Sequence, residues 1–190
     1  MARELNGLKI AILVANGFEQ EEMTEPRQAL EKAGAKIELV SSEEKKVKGW
    51  KHTEWGDEFP VEVSLNHANA NDYDALMLPG GVMNPDRLRL VPQAIGFVRE
   101  FVKAEKPIAA ICHAPWTLID AGAVKGRRIT SWPSLKTDLT NAGAIWVDEE
   151  AVRHGNVVTS RKPADIPAFN KKMIETFAES SQRAKGTVSR

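Results

Sequence analysis

Four short apolar runs, "LKIAILVA", "ALMLPGG", "PIAAIC" and "VVTS", punctuate the chain, and the segments between them carry mostly helical periodicity. Each run is too short for a buried helix and most are rich in aliphatic or β-branched residues, so they read as strands buried on both faces. Strands of that kind alternating with helices imply a mostly parallel sheet covered by helices on both sides. At 190 residues the chain suits one domain with a substantial core. The expected division is a single α/β domain over residues 1–182 and a short frayed tail, "RAKGTVSR", over 183–190.

Between the strands, Met23 to Ala33 places Met23, Ala29, Leu30 and Ala33 near one helical face, with Gly34 as a stop signal before the strand "KIELVS". Residues 43–70 break the rhythm. The stretch "VKGWKHTEWGDEFPVEVSL" suits a β-hairpin around a Trp-Gly-Asp turn, appended to the main sheet. A long helix is expected from about Asp86 to Ala104, and another just after Cys112. "SLKTDLTNAG" reads as a short helix, "AIWVD" as a strand, and Ile166, Phe169, Met173 and Phe177 as the apolar stripe of a final helix that starts near a proline.

Composition excludes several classes of function. Twenty-six basic residues balance 26 acidic ones, and no basic block with interleaved aromatics offers the electrostatic footprint of a nucleic-acid binder. No segment reaches the roughly 18 apolar residues of a membrane span, and the N-terminus lacks a secretory signal pattern, so a cytoplasmic protein is expected. A single cysteine, Cys112, allows no intramolecular disulfide and fits a reducing compartment.

Ligands of parallel sheets bind beyond the carboxyl ends of the strands. Three loops qualify there: "ANGFE", "LPGGVMNPD" and "ICHAP". If their strands are neighbours, Glu19, Gly80, Gly81, Cys112 and His113 converge on one crevice. A cysteine at a strand-to-helix elbow meets free backbone N–H groups and the positive end of a helix, both of which favour a thiolate nucleophile. Gly80 and Gly81 let backbone approach a substrate, and their N–H groups with that of His113 form a candidate oxyanion hole. Glu19 follows Phe18 in the loop and is expected to stay protonated and donate to the sulfur, whereas Glu21 and Glu22 read as a solvated helix start. His113 is either a proton carrier or a helix-start histidine, since adjacent side chains usually diverge. His52, His67 and His154 show no ligand spacing with Cys112, so no metal site is expected.

The stretches "ANGFEQEE", "DALMLPGG", "PDRLR", "KPIAAICHAPWTLIDAGAVKGRRITSWPSLKTDLTNAGAIWVDE" and "VVTSRKPADIPAFN" together resemble the PfpI-like family. That family includes intracellular cysteine peptidases, bacterial general stress proteins and protein deglycases, with the parkinsonism-associated deglycase a more distant relative. The resemblance implies a flavodoxin-like three-layer sandwich, a homodimer or larger homo-oligomer, and a strained nucleophile at Cys112. It further implies that Glu19 hydrogen-bonds the sulfur, that His113 assists proton transfer, and that an acid after the glycine pair, often from a neighbouring subunit, orients the histidine. Asp86 holds that position, where the peptidase branch commonly has Glu. Ala114 stands where the family usually has Gly. Trp132 replaces a Tyr or His and gives the pocket mouth an apolar wall.

Three functions are compatible with these residues. The first is a stress-protective hydrolase of glyoxal and methylglyoxal adducts on proteins or nucleotides, with Cys112 as nucleophile and no cofactor. The second is an intracellular peptidase working through an acyl-enzyme, which needs a groove for a peptide. The third is a redox sensor or holdase built on an oxidisable cysteine. A glutaminase needs a downstream His-x-Glu pair, and "VVTSRKPAD" has none.

Overall fold

The computed structural model describes residues 4–188, and the apolar runs form its central strands. The chain begins with β1 (Lys9–Val14), the two-residue β2 (Phe18–Glu19) and α1 (Gln20–Lys32). It continues through β3 (Lys36–Ser41), β4 (Lys46–Lys51), β5 (Glu54–Pro60), β6 (Val63–Ser64) and β7 (Ala75–Leu78). Next come α2 (Met83–Arg89), α3 (Pro92–Lys103), β8 (Ile108–Ile111) and α4 (Pro115–Asp120). The last third holds β9 (Arg128–Ile129), α5 (Lys136–Asn141), β10 (Ile145–Trp146), β11 (Ala151–His154), β12 (Val157–Ser160) and α6 (Ile166–Val188).

Seven strands form the main sheet in the order β11-β12-β8-β7-β1-β3-β6. All neighbours are parallel except the edge pair β11 and β12. Side chains alternate across it. Ala11 and Leu13 of β1 join the core under α2 to α5, while Ile10, Ile12 and Val14 join the core under α1 and α6. Ile166, Phe169, Met173 and Phe177 of α6 are buried on that second face, as their spacing predicts. Burying each such side chain contributes about 1.5–3 kcal/mol. Among the described residues no helix is long and apolar enough to cross a membrane.

Several expectations change. The long helix over 86–104 is two helices, interrupted at Leu90 and Val91, because Pro92 disfavours helical backbone at the residue before it. The hairpin forms, but β4 and β5 join β2 in a separate three-stranded sheet rather than extending the main one. Its turn lies at His52 and Thr53, with His52 at φ 54°. Trp55, Gly56 and Asp57 instead run within β5, where the Gln20 side chain grips the backbone and carboxyl of Asp57 at 2.7 and 2.6 Å. Helix α6 continues through Val188, past Arg183, and residues 189–190 of the expected tail lie outside the described residues.

Candidate active site

Strands β8, β7 and β1 are parallel neighbours, so the loops that follow them meet at the carboxyl end of the sheet. Asn84, wholly buried at the start of α2, ties two of these loops together. Its Oδ1 accepts the Ala15 N–H at 2.7 Å, and its Nδ2 donates to the carbonyls of Pro79 and Gly80.

Cys112 follows β8 directly and has φ 63°. A non-glycine residue in this left-handed region is uncommon and costs of order 1–3 kcal/mol. The surroundings hold it there from both sides. Its N–H donates to the Ser160 carbonyl at 3.0 Å, and its carbonyl accepts the Trp132 N–H at 2.9 Å. The bent backbone also lets the adjacent imidazole fold back, placing His113 Nδ1 at 3.2 Å from Sγ. The His113 ring is nearly buried, stacked on Trp132 at 5.9 Å and edge-on to Trp116 at 5.3 Å. Burial pushes its pKa down to about 4, so the imidazole is neutral at pH 7.

The carboxyl beside the thiol belongs to Glu22 rather than to Glu19. Helix α1 begins at Gln20, which puts Glu22 on the same inward stripe as Pro26 and Leu30, and its side chain is wholly buried. Oε2 accepts the Gly80 N–H at 3.0 Å. Oε1 is buried with no hydrogen-bond partner, and the side chain that most opposes the rise in the carboxyl's pKa is the Cys112 thiol. Burial pushes the Glu22 pKa up to about 8, which keeps the group protonated at neutral pH. Burial also raises the thiol, and an ionised Glu22 raises it further, while the N–H groups of Gly81 and His113 oppose both by approaching the sulfur. With Glu22 protonated, its charge no longer works against a thiolate.

Glu19 ends β2, paired with Trp50 of β4. Its carboxylate turns to the hairpin, accepting the His52 N–H at 3.4 Å and facing His52 Nδ1 at 3.8 Å. Desolvation raises its pKa. It lines the cavity above Cys112 but is not the thiol's partner.

Of the glycine pair, Gly80 departs from expectation. The Gly80 N–H is taken by Glu22 and is not free for an oxyanion. Gly80 is required because a Cβ would approach Cys112 Cβ to 2.6 Å and the Ile111 carbonyl to 2.7 Å. Gly81, at φ 78°, would bring a Cβ to 2.6 Å from the Glu19 nitrogen. Asp86 is exposed on α2 and does not line the cavity within its own chain.

A cavity of about 290 Å³ opens above the sulfur, walled by Glu19, Trp50, His52, Val82, Trp132 and Pro163. Trp132 forms the wall expected of it. Trp50 and His52 are additions that the sequence did not reveal, since only the pairing of β2 with β4 carries the hairpin to the mouth. His52, Glu19 and Glu21 also form a group of potential metal ligands whose donor atoms lie within 4.8 Å of one another, which the histidine spacing did not suggest.

A family model described as the DJ-1/PfpI family matches residues 8–176. The chain belongs to the DJ-1/PfpI family. General stress protein 18 of Bacillus subtilis is 42% identical over 170 residues, spanning 88% of this chain and 96% of its own. A second protein of that organism, "Putative cysteine protease YraA", is 41% identical over 87% of this chain and 96% of its own. Deglycase PH1704 of Pyrococcus horikoshii is 39% identical over 88% of this chain and 98% of its own. Among solved structures, Drosophila melanogaster DJ-1beta superposes with a TM-score of 0.81 at 29% identity, covering 95% of this chain and 97% of that one. The fold is therefore the flavodoxin-like sandwich of the DJ-1/PfpI family, with a small three-stranded sheet added at the site.

Proposed function

We propose that this DJ-1/PfpI protein is a cysteine-dependent, stress-protective hydrolase that removes glyoxal and methylglyoxal adducts from amines and thiols. The observation that carries the reading is a buried thiol flanked by two neutral proton-carrying groups. His113 Nδ1 is 3.2 Å away, and Glu22 keeps its proton to about pH 8. The cavity above them is sized for a small carbonyl fragment.

The chemistry follows from these groups and needs no outside oxidant. Sγ bonds to the aldehyde-derived carbon of the adduct as its proton passes to His113. The bond from that carbon to the repaired nitrogen or sulfur breaks, and the proton goes to the leaving atom. In the resulting hemithioacetal, the hydrogen on the sulfur-bearing carbon leaves as a proton to His113. The freed electron pair reduces the neighbouring carbonyl carbon, which takes a proton in turn. One carbon is thereby oxidised to a thioester while its neighbour is reduced to an alcohol. Water then cleaves the thioester, releasing a hydroxyacid and the free thiol.

The relative named "Putative cysteine protease YraA" supports peptide hydrolysis as the second reading. The geometry favours it less, because a peptide needs an extended groove and the cavity above the sulfur is only about 290 Å³. The proposal includes a homo-oligomer in which Asp86 of a second copy approaches His113.

The test compares the protein and Cys112→Ala on a methylglyoxal-modified amine and on a fluorogenic peptide. Cysteine-dependent loss of the adduct with the peptide intact is the expected result. Cleavage of the peptide alone supports the peptidase reading, and silence on both substrates leaves oxidation sensing as the better account.

A further inference from the structure

The walls of the cavity bear on which adducts it accepts. Two carboxyl groups line it, Glu19 and Glu22, and among the described residues no lysine or arginine does. Glu22 is wholly buried, so the carboxyl facing the opening is that of Glu19, whose side chain is only 13% exposed. Partial burial lowers the local dielectric and strengthens an interaction with an opposite charge. Lys51 of the hairpin pairs with Asp57 at 3.1 Å.

The aromatic groups add to this. Trp132 is 39% exposed although it is stacked on His113, so part of its indole remains open to a ligand. Trp50 lies beside Glu19 through the β2–β4 register. An aromatic face attracts a cation through its quadrupole, and a planar guanidinium can stack on it while pairing with a carboxylate. An anionic ligand, a nucleotide phosphate above all, would meet Glu19 with no lysine or arginine on the wall to offset it.

We infer that Glu19, with Trp50 and Trp132, forms a cation-selective subsite that directs the site to arginine- and lysine-borne adducts rather than to thiol-borne or phosphate-bearing ones. The inference rests on the adduct-hydrolase reading for its biological use. As a binding statement it stands independently. An adducted arginine would place its guanidinium between Glu19 and the indoles, leaving the adduct carbon toward Cys112. Glu19 is then a specificity-determining residue that is distinct from the thiol's partner, Glu22.

The experiment measures protection of Cys112 from iodoacetamide by N-acetylarginine amide and by its neutral isostere, N-acetylcitrulline amide. It is run on the wild-type protein, Glu19→Gln and Glu19→Asp. The expected result is protection by the arginine amide at concentrations at least about tenfold lower than by the citrulline amide, a gap of roughly 1.4 kcal/mol. Glu19→Gln should abolish that gap and Glu19→Asp should keep part of it. Equal protection by the two amides, no protection by either, or a gap unchanged in Glu19→Gln overturns the inference. The same proteins are then given methylglyoxal adducts of N-acetylarginine amide and N-acetylcysteine amide. Charge-dependent protection without turnover of either adduct would retain the subsite and reject the hydrolase reading.

Discussion

His113 Nδ1 lies 3.2 Å from Cys112 Sγ although the two residues are adjacent in sequence, a contact that exists because Cys112 takes φ 63°. The imidazole is neutral at pH 7 and within reach of the thiol proton. His113→Ala should therefore lower kcat by about 10²–10⁴ with a much smaller change in KM. Steady-state kinetics on an adduct substrate check this, and an unchanged kcat would remove His113 from the proton path.

Glu22 sets the alkaline limit. Below about pH 8 it is protonated and compatible with negative charge on sulfur, and above that its own charge opposes the thiolate. Because thiol and carboxyl are coupled, the limit belongs to the pair. Turnover should decline above about pH 8 in the wild type, and Glu22→Gln, which stays neutral, should lose that limb. Glu22→Leu should lower activity at every pH by removing the polar partner. A pH–kcat/KM profile of the three proteins decides the matter, and an identical alkaline limb in Glu22→Gln would refute the assignment.

The same carboxyl makes stability depend on pH. Its pKa rises from 4.5 to about 8 on folding, so the folded state holds the proton more tightly. The stability it contributes is fully present below pH 4.5 and is lost as pH rises through 8. His113 works in the opposite sense. Its pKa falls from 6.5 to about 4, so its contribution is present above 6.5 and is lost as pH falls through 4. Since His113 is common to both proteins, the unfolding free energy of wild type minus Glu22→Gln should fall by about 1.4 kcal/mol per pH unit between roughly 4.5 and 8. Urea unfolding across that range tests it, and a flat difference would mean that Glu22 is not held neutral by the fold.

Gly80→Ala should cost about 1–3 kcal/mol, because the new methyl overlaps Cys112 Cβ and the Ile111 carbonyl and cannot be relieved by a flexible side chain alone. Asn84→Ala should cost a similar amount by leaving the buried Ala15 N–H without its acceptor. Thermal denaturation measures both. Iodoacetamide reactivity of Cys112 should change more in Gly80→Ala, whose disturbance lies against Cys112 Cβ.

The central strands and the nucleophile elbow were legible because each depends on local patterns, short apolar runs and a Cys-His pair at a strand end, whereas the strand order that brings the Gly pair opposite came only from the structure. Glu22 was harder to read. Its role depends on a helix that starts at Gln20, which turns an acid in a row of acids onto the stripe shared with Pro26 and Leu30. That four-residue spacing is present in the sequence, but acids in a first turn are ordinarily solvated and favoured by the helix dipole. Trp50 and His52 gave no local signal, because a two-residue pairing with β2 brings them to the mouth. The break before Pro92 was visible in the proline itself, although the surrounding helical pattern concealed it.

The most direct test is mass spectrometry of protein quenched during turnover of a methylglyoxal-modified amine. The account predicts one methylglyoxal-derived unit on the peptide containing Cys112, absent in Cys112→Ser, which should also be inactive with its fold intact. Turnover that persists in Cys112→Ser, or that proceeds in the wild type with the label on another residue, would contradict it.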